Sequence, residues 1–323
     1  MDKHHFTKLG QLISESEKGV LKQIDGLTGY SGEMLVGALQ RIAQYQEHLN
    51  QGAYLEVGVF QGLTLLSVAG ALSKSRAFGV DNFAQFDEDG RNRRLINERI
   101  NLNRLRNVLL IECDYEDALE ALGNHIGDTK IGLYFVDGPH DYRSQLMCLL
   151  LATPFLSESA VIVVDDCNYP WVRLANRDFL IGNPSFKLIF EAYTECHPGN
   201  MPEEKVTLAR KGWWNGVNLI AYDPAGILES MYPPTSRSRQ LYENEHLVLA
   251  ASRPNLAPEA TLFFSHLLDG RFVNAARTLA HLWRKSRDQK GELAGRYPAM
   301  NTDSRDLPCR LNGALLSTEA GAN

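Results

Sequence analysis

Five short, strongly apolar runs, separated by segments with helical spacing, constrain this chain more than any other feature. The runs are AYLEVGV (53–59), RAFGVD (76–81), NVLLIECD (107–114), IGLYFVD (131–137) and AVIVVDD (160–166). Between them lie LTLLSVAGALS, EDGRNRRLINERINLNRL, EDALEALGNHI and DYRSQLMCLLLATPFL. Strands this apolar are buried on both faces, which predicts an α/β fold: a mostly parallel sheet with helices on each side. Crossovers of one hand then bring the C-terminal strand ends to one edge. Ligands bind such sheets at that edge, where the strand order reverses.

On either side of this core the pattern changes. Ser31-Gly32-Glu33 opens an amphipathic run, EMLVGALQRIAQYQEHLN, which Asn50-Gln51-Gly52 stops. Residues 1–30 are polar and mixed, and they are grouped with that helix as an N-terminal helical segment, 1–50. Two further strands are expected, FKLIFEAY (186–193) and GVNLIAYD (216–223), joined by a long polar loop, TECHPGNMPEEKVTLARKGWWN. They close a domain spanning 51–225. Residues 226–323 read as a helical extension, notably EATLFFSHLLDGRFVNAARTLAHLWRKSRDQ, ending in a tail of about 25 residues.

Composition excludes several classes. A net charge of −6 over 323 residues disfavours nucleic acid as a partner, because phosphate neutralisation needs a basic surface. Cys113, Cys148, Cys167, Cys196 and Cys309 are scattered and form no CxxC pair, which fits a reducing compartment without a disulfide framework or zinc site. The N-terminal residues lack a signal-peptide pattern, and no run approaches the roughly 20 apolar residues that span a bilayer. The expected location is cytoplasmic, with no membrane partner. His4-His5 reads as a flexible start, and Arg91-Asn92-Arg93-Arg94 as a solvated helix face.

Acidic residues recur where strands end: Glu56, Asp81, Asp114, Asp137, Asp165 and Asp166. Carboxylates there face the ligand crevice. In Glu56-Val57-Gly58-Val59-Phe60-Gln61-Gly62 two glycines flank a strand-to-helix turn, where glycine permits positive φ and close approach to a ligand. A dinucleotide site calls for GxGxxG, which this turn lacks. An acidic residue precedes the turn instead, which suits a ligand with a cationic group, such as S-adenosylmethionine with its ammonium and sulfonium. A tight turn with a solvent-exposed Glu56 is the plainer alternative.

The series ExGxxxG, GVD, ECD, VDGPHDY and VVDD resembles class I S-adenosylmethionine-dependent methyltransferases, and within them the metal-dependent O-methyltransferases of the macrocin and catechol type. The resemblance covers roughly residues 50–170. It implies a Rossmann-like doubly wound sheet of seven strands with an antiparallel last strand. It also implies that Glu56, Gly58, Gly62 and Thr64 surround the methionine part of S-adenosylmethionine. Asp81 would take the ribose, the Asp114 loop would lie near the adenine, and Asp137 would border the same cofactor. A divalent metal, Mg²⁺ above all, would be held by Asp137, Asp165 and Asp166.

The residue chemistry agrees with that implication. Carboxylates on adjacent strand ends make a hard oxygen site suited to Mg²⁺ or Mn²⁺. His140 follows Asp137 by three residues, and an imidazole there is suited to take the acceptor's proton. The alternative for His140 is a loop residue that caps a helix or meets solvent. Asp166, before Cys-Asn, has the alternative of a simple turn residue. Tyr169-Pro170-Trp171 is placed to flank an acceptor, and Trp213-Trp214 has either that role or ordinary packing.

The expected activity is metal-assisted O-methylation of a small hydroxylated acceptor, a sugar or secondary metabolite, with His140 and Asp137 as the catalytic residues and His140 as base. A metal-independent N- or O-methyltransferase and a non-catalytic S-adenosylmethionine-binding protein are the alternatives. The apolar residues of 226–323 need a partner surface, so a homo-oligomer is expected.

Overall fold

Strands β1 (Ala53–Val57), β2 (Ala77–Val80) and β4 (Ile131–Val136) are buried along their whole length, as continuous apolar runs require of central strands. The computed structural model describes residues 2–84, 86–87, 89–235, 257–293 and 307–312. With β3 (Val108–Ile111), β5 (Leu156–Val164), β6 (Phe186–Ala192), β7 (Val217–Tyr222) and β8 (Arg310–Leu311), they form one sheet of order β3-β2-β1-β4-β5-β7-β6-β8. Strands β1 to β5 pair in parallel. Strand β7 runs antiparallel to both β5 and β6.

Alternate residues of each central strand feed two cores. Tyr54, Leu133, Phe135, Val161 and Val163 pack beneath α1 (Lys3–Glu15), α2 (Glu33–His48), α3 (Leu63–Ala71) and α4 (Arg91–Leu102). Leu55, Val57, Tyr134, Val136 and Ile162 face α5 (Tyr115–Glu120), α6 (Leu122–Ile126), α7 (Tyr142–Ala152) and α8 (Pro170–Gly182). This is the mostly parallel, Rossmann-like doubly wound sheet that the alternation of runs predicts.

Four local readings are corrected. The sheet has an eighth strand where seven are expected. Two residues, Arg310 and Leu311, add antiparallel to β6, too few to leave any period in the sequence. Apart from residues 307–312, the expected tail lies outside the described residues. The polar loop after β6 contains α9 (Glu203–Lys211), with Glu203 and Glu204 in its first turn and Arg210 and Lys211 in its last. That distribution favours a helix through its dipole, without an apolar stripe to advertise it. Residues 3–15 are helical rather than patternless: Asp2 caps α1 by accepting the amide of His5, and Phe6, Leu9, Leu12 and Ile13 are buried. His5 is therefore no flexible start; it is buried, with Nδ1 3.0 Å from the Tyr45 hydroxyl. In the extension, α10 (Ala257–Leu268) and α11 (Phe272–Leu293) form a hairpin.

The chain leaves β1 toward β2 and β3 on one side, while β4 and β5 lie on the other, so the order reverses between β1 and β4. Gly58 sits at that point with φ +92°, and a Cβ there would lie 1.9 Å from the carbonyl oxygen of Asp137. Only glycine permits both the conformation and the contact. Gly58→Ala is expected to lower the unfolding free energy by at least about 1–3 kcal/mol, read from urea denaturation. An unchanged midpoint would show that the two strand ends separate freely.

Candidate functional site

All six acidic positions lie at or just past the C-terminal ends of β3, β2, β1, β4 and β5, along one edge. Glu56 is fully buried rather than solvent-exposed. Its carboxyl accepts the Tyr54 hydroxyl at 2.5 Å and the Thr64 hydroxyl at 2.7 Å, so it braces the start of α3 from below. Burial pushes its pKa up to about 8, against the lowering effect of those two hydroxyls.

Asp81 Oδ2 accepts the amides of Val59 and Phe60, each at 2.9 Å, and Oδ1 accepts that of Phe83 at 2.7 Å. The β2 end thus holds the turn between Gly58 and Gly62. Phe60 at φ +49° and Gly62 at φ +80° give that turn its shape, and Gly62 becomes the left-handed residue that starts α3. Asp114 caps α5 through the Glu116 amide at 2.9 Å.

On the β4–β5 side, Asp137, His140 and Asp166 come together, with one ligand atom from each lying within 4.8 Å of the others. His140 Nε2 is 2.6 Å from Asp166 Oδ2, and its ring stacks on Tyr169 with centroids 4.8 Å apart. Asp166 takes a left-handed φ of +56°, and its amide donates to Asp165 Oδ1 at 2.8 Å. Asp165 is buried and outside the group of three.

Electrostatics divides these acids. Burial, reinforced by the charges of Asp165, Asp166, Glu56 and Asp81, holds Asp137 well above the usual carboxylate range. Burial and the Asp166 charge do the same to Asp165. Burial also acts to raise Asp166, but the charge and hydrogen bond of His140 outweigh it and leave Asp166 low. Burial acts to lower His140, and the Asp166 carboxylate overcomes that to raise it. Like charges gathered in a poorly solvated crevice favour a bound cation.

Sequence reasoning placed the acidic edge and the Gly58–Gly62 turn. It missed Asn215, whose side-chain amide donates to Asp166 Oδ1. The Asn-Gly pair before β7 is the signal available for it, because Gly216 needs φ +86°. Of the tryptophans, Trp213 packs on Phe190, while Trp214 stacks with Tyr30, which in turn stacks on Phe60. The Arg91–Arg94 cluster lies on α4; Arg91, Arg93 and Arg94 are not buried, and Asn92 is. A separate groove of about 380 Å³, lined by Lys18, Ile24, Leu27, Glu33, Val36 and Leu63 among others, lies against the N-terminal segment away from the acidic group.

Residues 55–167 match the family model described as a methyltransferase domain. No curated protein matches the chain. Among solved structures, the chain is similar to the O-methyltransferase from Bacillus cereus in complex with SAH, at 15% identity and TM-score 0.44, over 68% of this chain and 91% of that one. It is also similar to the O-methyltransferase TomG from Streptomyces achromogenes, involved in tomaymycin synthesis and in complex with SAM. That likeness has 15% identity and TM-score 0.44, over 69% of this chain and 91% of that one. The match to the methyltransferase-domain model falls on the strands and turns just described. Among the described residues, no helix is long and apolar enough to cross a membrane.

The raised pKa of Glu56 has a measurable consequence. Above its ordinary value of 4.5 the unfolded carboxyl releases a proton that the folded one keeps until about pH 8. Stability is therefore lost as pH rises through that window. Glu56→Gln reproduces the protonated acid and removes the slope. Its melting temperature should gain on the wild type between pH 5 and pH 8, by on the order of 5 °C. Parallel curves for the two proteins would contradict a neutral Glu56.

Proposed function

We propose that the chain is an O-methyltransferase that moves the methyl group of S-adenosylmethionine to a small hydroxylated acceptor, a sugar or secondary metabolite, with a divalent cation at the acidic group. The observation that carries this reading is the convergence of Asp137, His140 and Asp166 beside the Gly58–Gly62 turn. Glu56, Gly58, Gly62, Thr64, Asp81 and the Asp114 loop are the proposed binding surface for the methyl donor, with Asp137 at its border. The acidic field suits a ligand bearing ammonium and sulfonium charges.

The donor set fits Mg²⁺ or Mn²⁺, since carboxylate oxygens are hard ligands and the raised Asp137 and Asp165 gain most from a neighbouring cation. Asp137, Asp165 and Asp166 would hold it. A bound divalent ion lowers the pKa of a hydroxyl and fixes its oxygen. His140 is oriented by Asp166 through Nε2 and stacked on Tyr169, so its other ring nitrogen, Nδ1, takes the acceptor's proton. Methyl transfer is an in-line displacement, so alignment of the acceptor oxygen with the methyl carbon sets the rate.

A second reading is favoured by the grouping of His140 with Asp137 and Asp166, while Asp165 lies outside that group. His140 would then be a ligand and not the base. Calorimetry with S-adenosylmethionine, with and without Mg²⁺, followed by an acceptor screen, tests the main proposal. Binding of the methyl donor is expected, and no binding in either condition overturns it. With an acceptor found, His140→Ala is expected to lower kcat by about 10²–10⁴-fold. Unchanged Mg²⁺ affinity in that variant supports the base, and lost affinity supports the ligand.

The extension 226–323 and the N-terminal segment 1–50 are proposed as additions to the 51–225 domain. Leu262, Phe264, Leu268, Phe272 and Trp283 are exposed on the α10–α11 hairpin. They suit burial against a second copy of the chain. Light scattering is expected to give twice the mass of 36.2 kDa, and a monomer at micromolar concentration removes that part of the proposal.

A further inference from the structure

Asn215 is fully buried where the chain enters β7, directly against the turn that carries Asp166. Its side-chain nitrogen donates to Asp166 Oδ1, which fixes the orientation of the amide, because the reverse would set two oxygens face to face. Its own carbonyl accepts the Asn168 amide at 2.9 Å, and the Gly216 carbonyl accepts the Cys167 amide at 3.1 Å. Asp166 is therefore held both through its side chain and through the two residues that follow it. Its φ of +56° is a conformation that the surrounding structure must impose.

This brace divides the work of the carboxylate. Oδ1 is engaged by Asn215, while Oδ2 faces His140 at 2.6 Å. Asn215 Oδ1 is itself buried, with no hydrogen-bond partner among the described residues. An orphaned buried acceptor is unfavourable and needs an explanation. The donor on the same amide supplies one if holding Asp166 is what the residue is for.

We propose that Asn215 is a positioning residue for cation binding: it turns the Asp166 carboxylate so that Oδ2 is presented to the group formed with Asp137 and His140. The proposal rests on the metal-assisted reading given above. Ligating carboxylates are commonly oriented by such outer partners, and losing one weakens metal affinity about 10–100-fold.

The test uses the full chain and Mn²⁺ as the probe, with free Mn²⁺ followed by electron paramagnetic resonance. S-adenosylmethionine affinity is followed in parallel by calorimetry. Asn215→Ala and Asn215→Leu, the latter close in size but without a donor, are expected to weaken Mn²⁺ binding about 10–100-fold. Both should leave S-adenosylmethionine affinity within about twofold, a split that a general structural defect would not give. In an Asp166→Asn background, Asn215→Leu is expected to weaken Mn²⁺ binding little further, because the carboxylate it orients is gone.

Wild-type Mn²⁺ affinity in both Asn215 variants overturns the proposal, and so do fully additive effects in the double variant. Loss of S-adenosylmethionine binding together with Mn²⁺ binding overturns it in favour of a packing role. A wild-type chain that binds S-adenosylmethionine but not Mn²⁺ overturns it while leaving the methyl-donor reading standing.

Discussion

The backbone contact between the ends of β1 and β4 is what the site depends on. The Asp137 amide donates to the Val57 carbonyl at 2.9 Å, and Gly58 passes so close to the Asp137 carbonyl that no side chain fits between them. In a doubly wound sheet this is the place where neighbouring connections part, leaving a crevice that no helix crosses. The contact brings Glu56 and Asp137, far apart in sequence, close enough for the Glu56 charge to raise Asp137. Asp81 then ties the turn down from the β2 side through the Val59 and Phe60 amides.

Close packing of acids has an energetic consequence. Separate carboxylates in water ionise independently; five around one crevice cannot. Burial is the main reason that Glu56 keeps its proton to about pH 8, and burial together with neighbouring charge raises Asp137 and Asp165. Among the shifted acids of the crevice Asp166 is the one lowered, because it faces His140. The group thus concentrates negative charge that protonation relieves. Charge of this kind is weak evidence for stability, since replacing such groups by apolar residues is often neutral or better. Its place at the switch point of the sheet, where such folds bind ligands, accords with a binding role.

The legible part of this arrangement followed from periodicity. Continuous apolar strands and helical spacers fixed the sheet class, and acids just past each run pointed to the working edge. The Gly58–Gly62 turn was readable because only glycine meets its geometry. What escaped reading depends on contacts between distant segments. Glu56 looks the same in sequence whether it faces water or is buried under Thr64 and Tyr54. Nothing in VVDD separates Asp165, which turns inward, from Asp166, which a left-handed turn swings toward His140. Asn215 is 49 residues from its carboxylate, and its role exists only once β7 has paired with β5. Helix α9 escaped because charge placement supports it where an apolar stripe is weak, whereas α1 carries its signal in the helical spacing of Phe6, Leu9, Leu12 and Ile13.

The same long-range logic ties the C-terminal extension to the crevice. Glu191, fully buried on β6, pairs with Arg310 of β8 and accepts the Tyr193 hydroxyl at 2.6 Å. Tyr193 Oη accepts from Asn218 at 3.1 Å, and Asn218 Oδ1 accepts from Asn176 at 2.9 Å. Arg173 closes the circuit: its guanidinium donates to the carbonyls of Cys167 and Asn168 and, through Nε, to that of Pro234. Two residues beyond position 225, Pro234 and Arg310, therefore hold groups that support the Asp166 turn. A buried glutamate without its arginine would be an uncompensated charge inside the sheet. The boundary drawn at residue 225 is crossed by the bond from Arg173 to Pro234 and by the pair of Arg310 with Glu191, so the extension is tied to the β6–β7 pair.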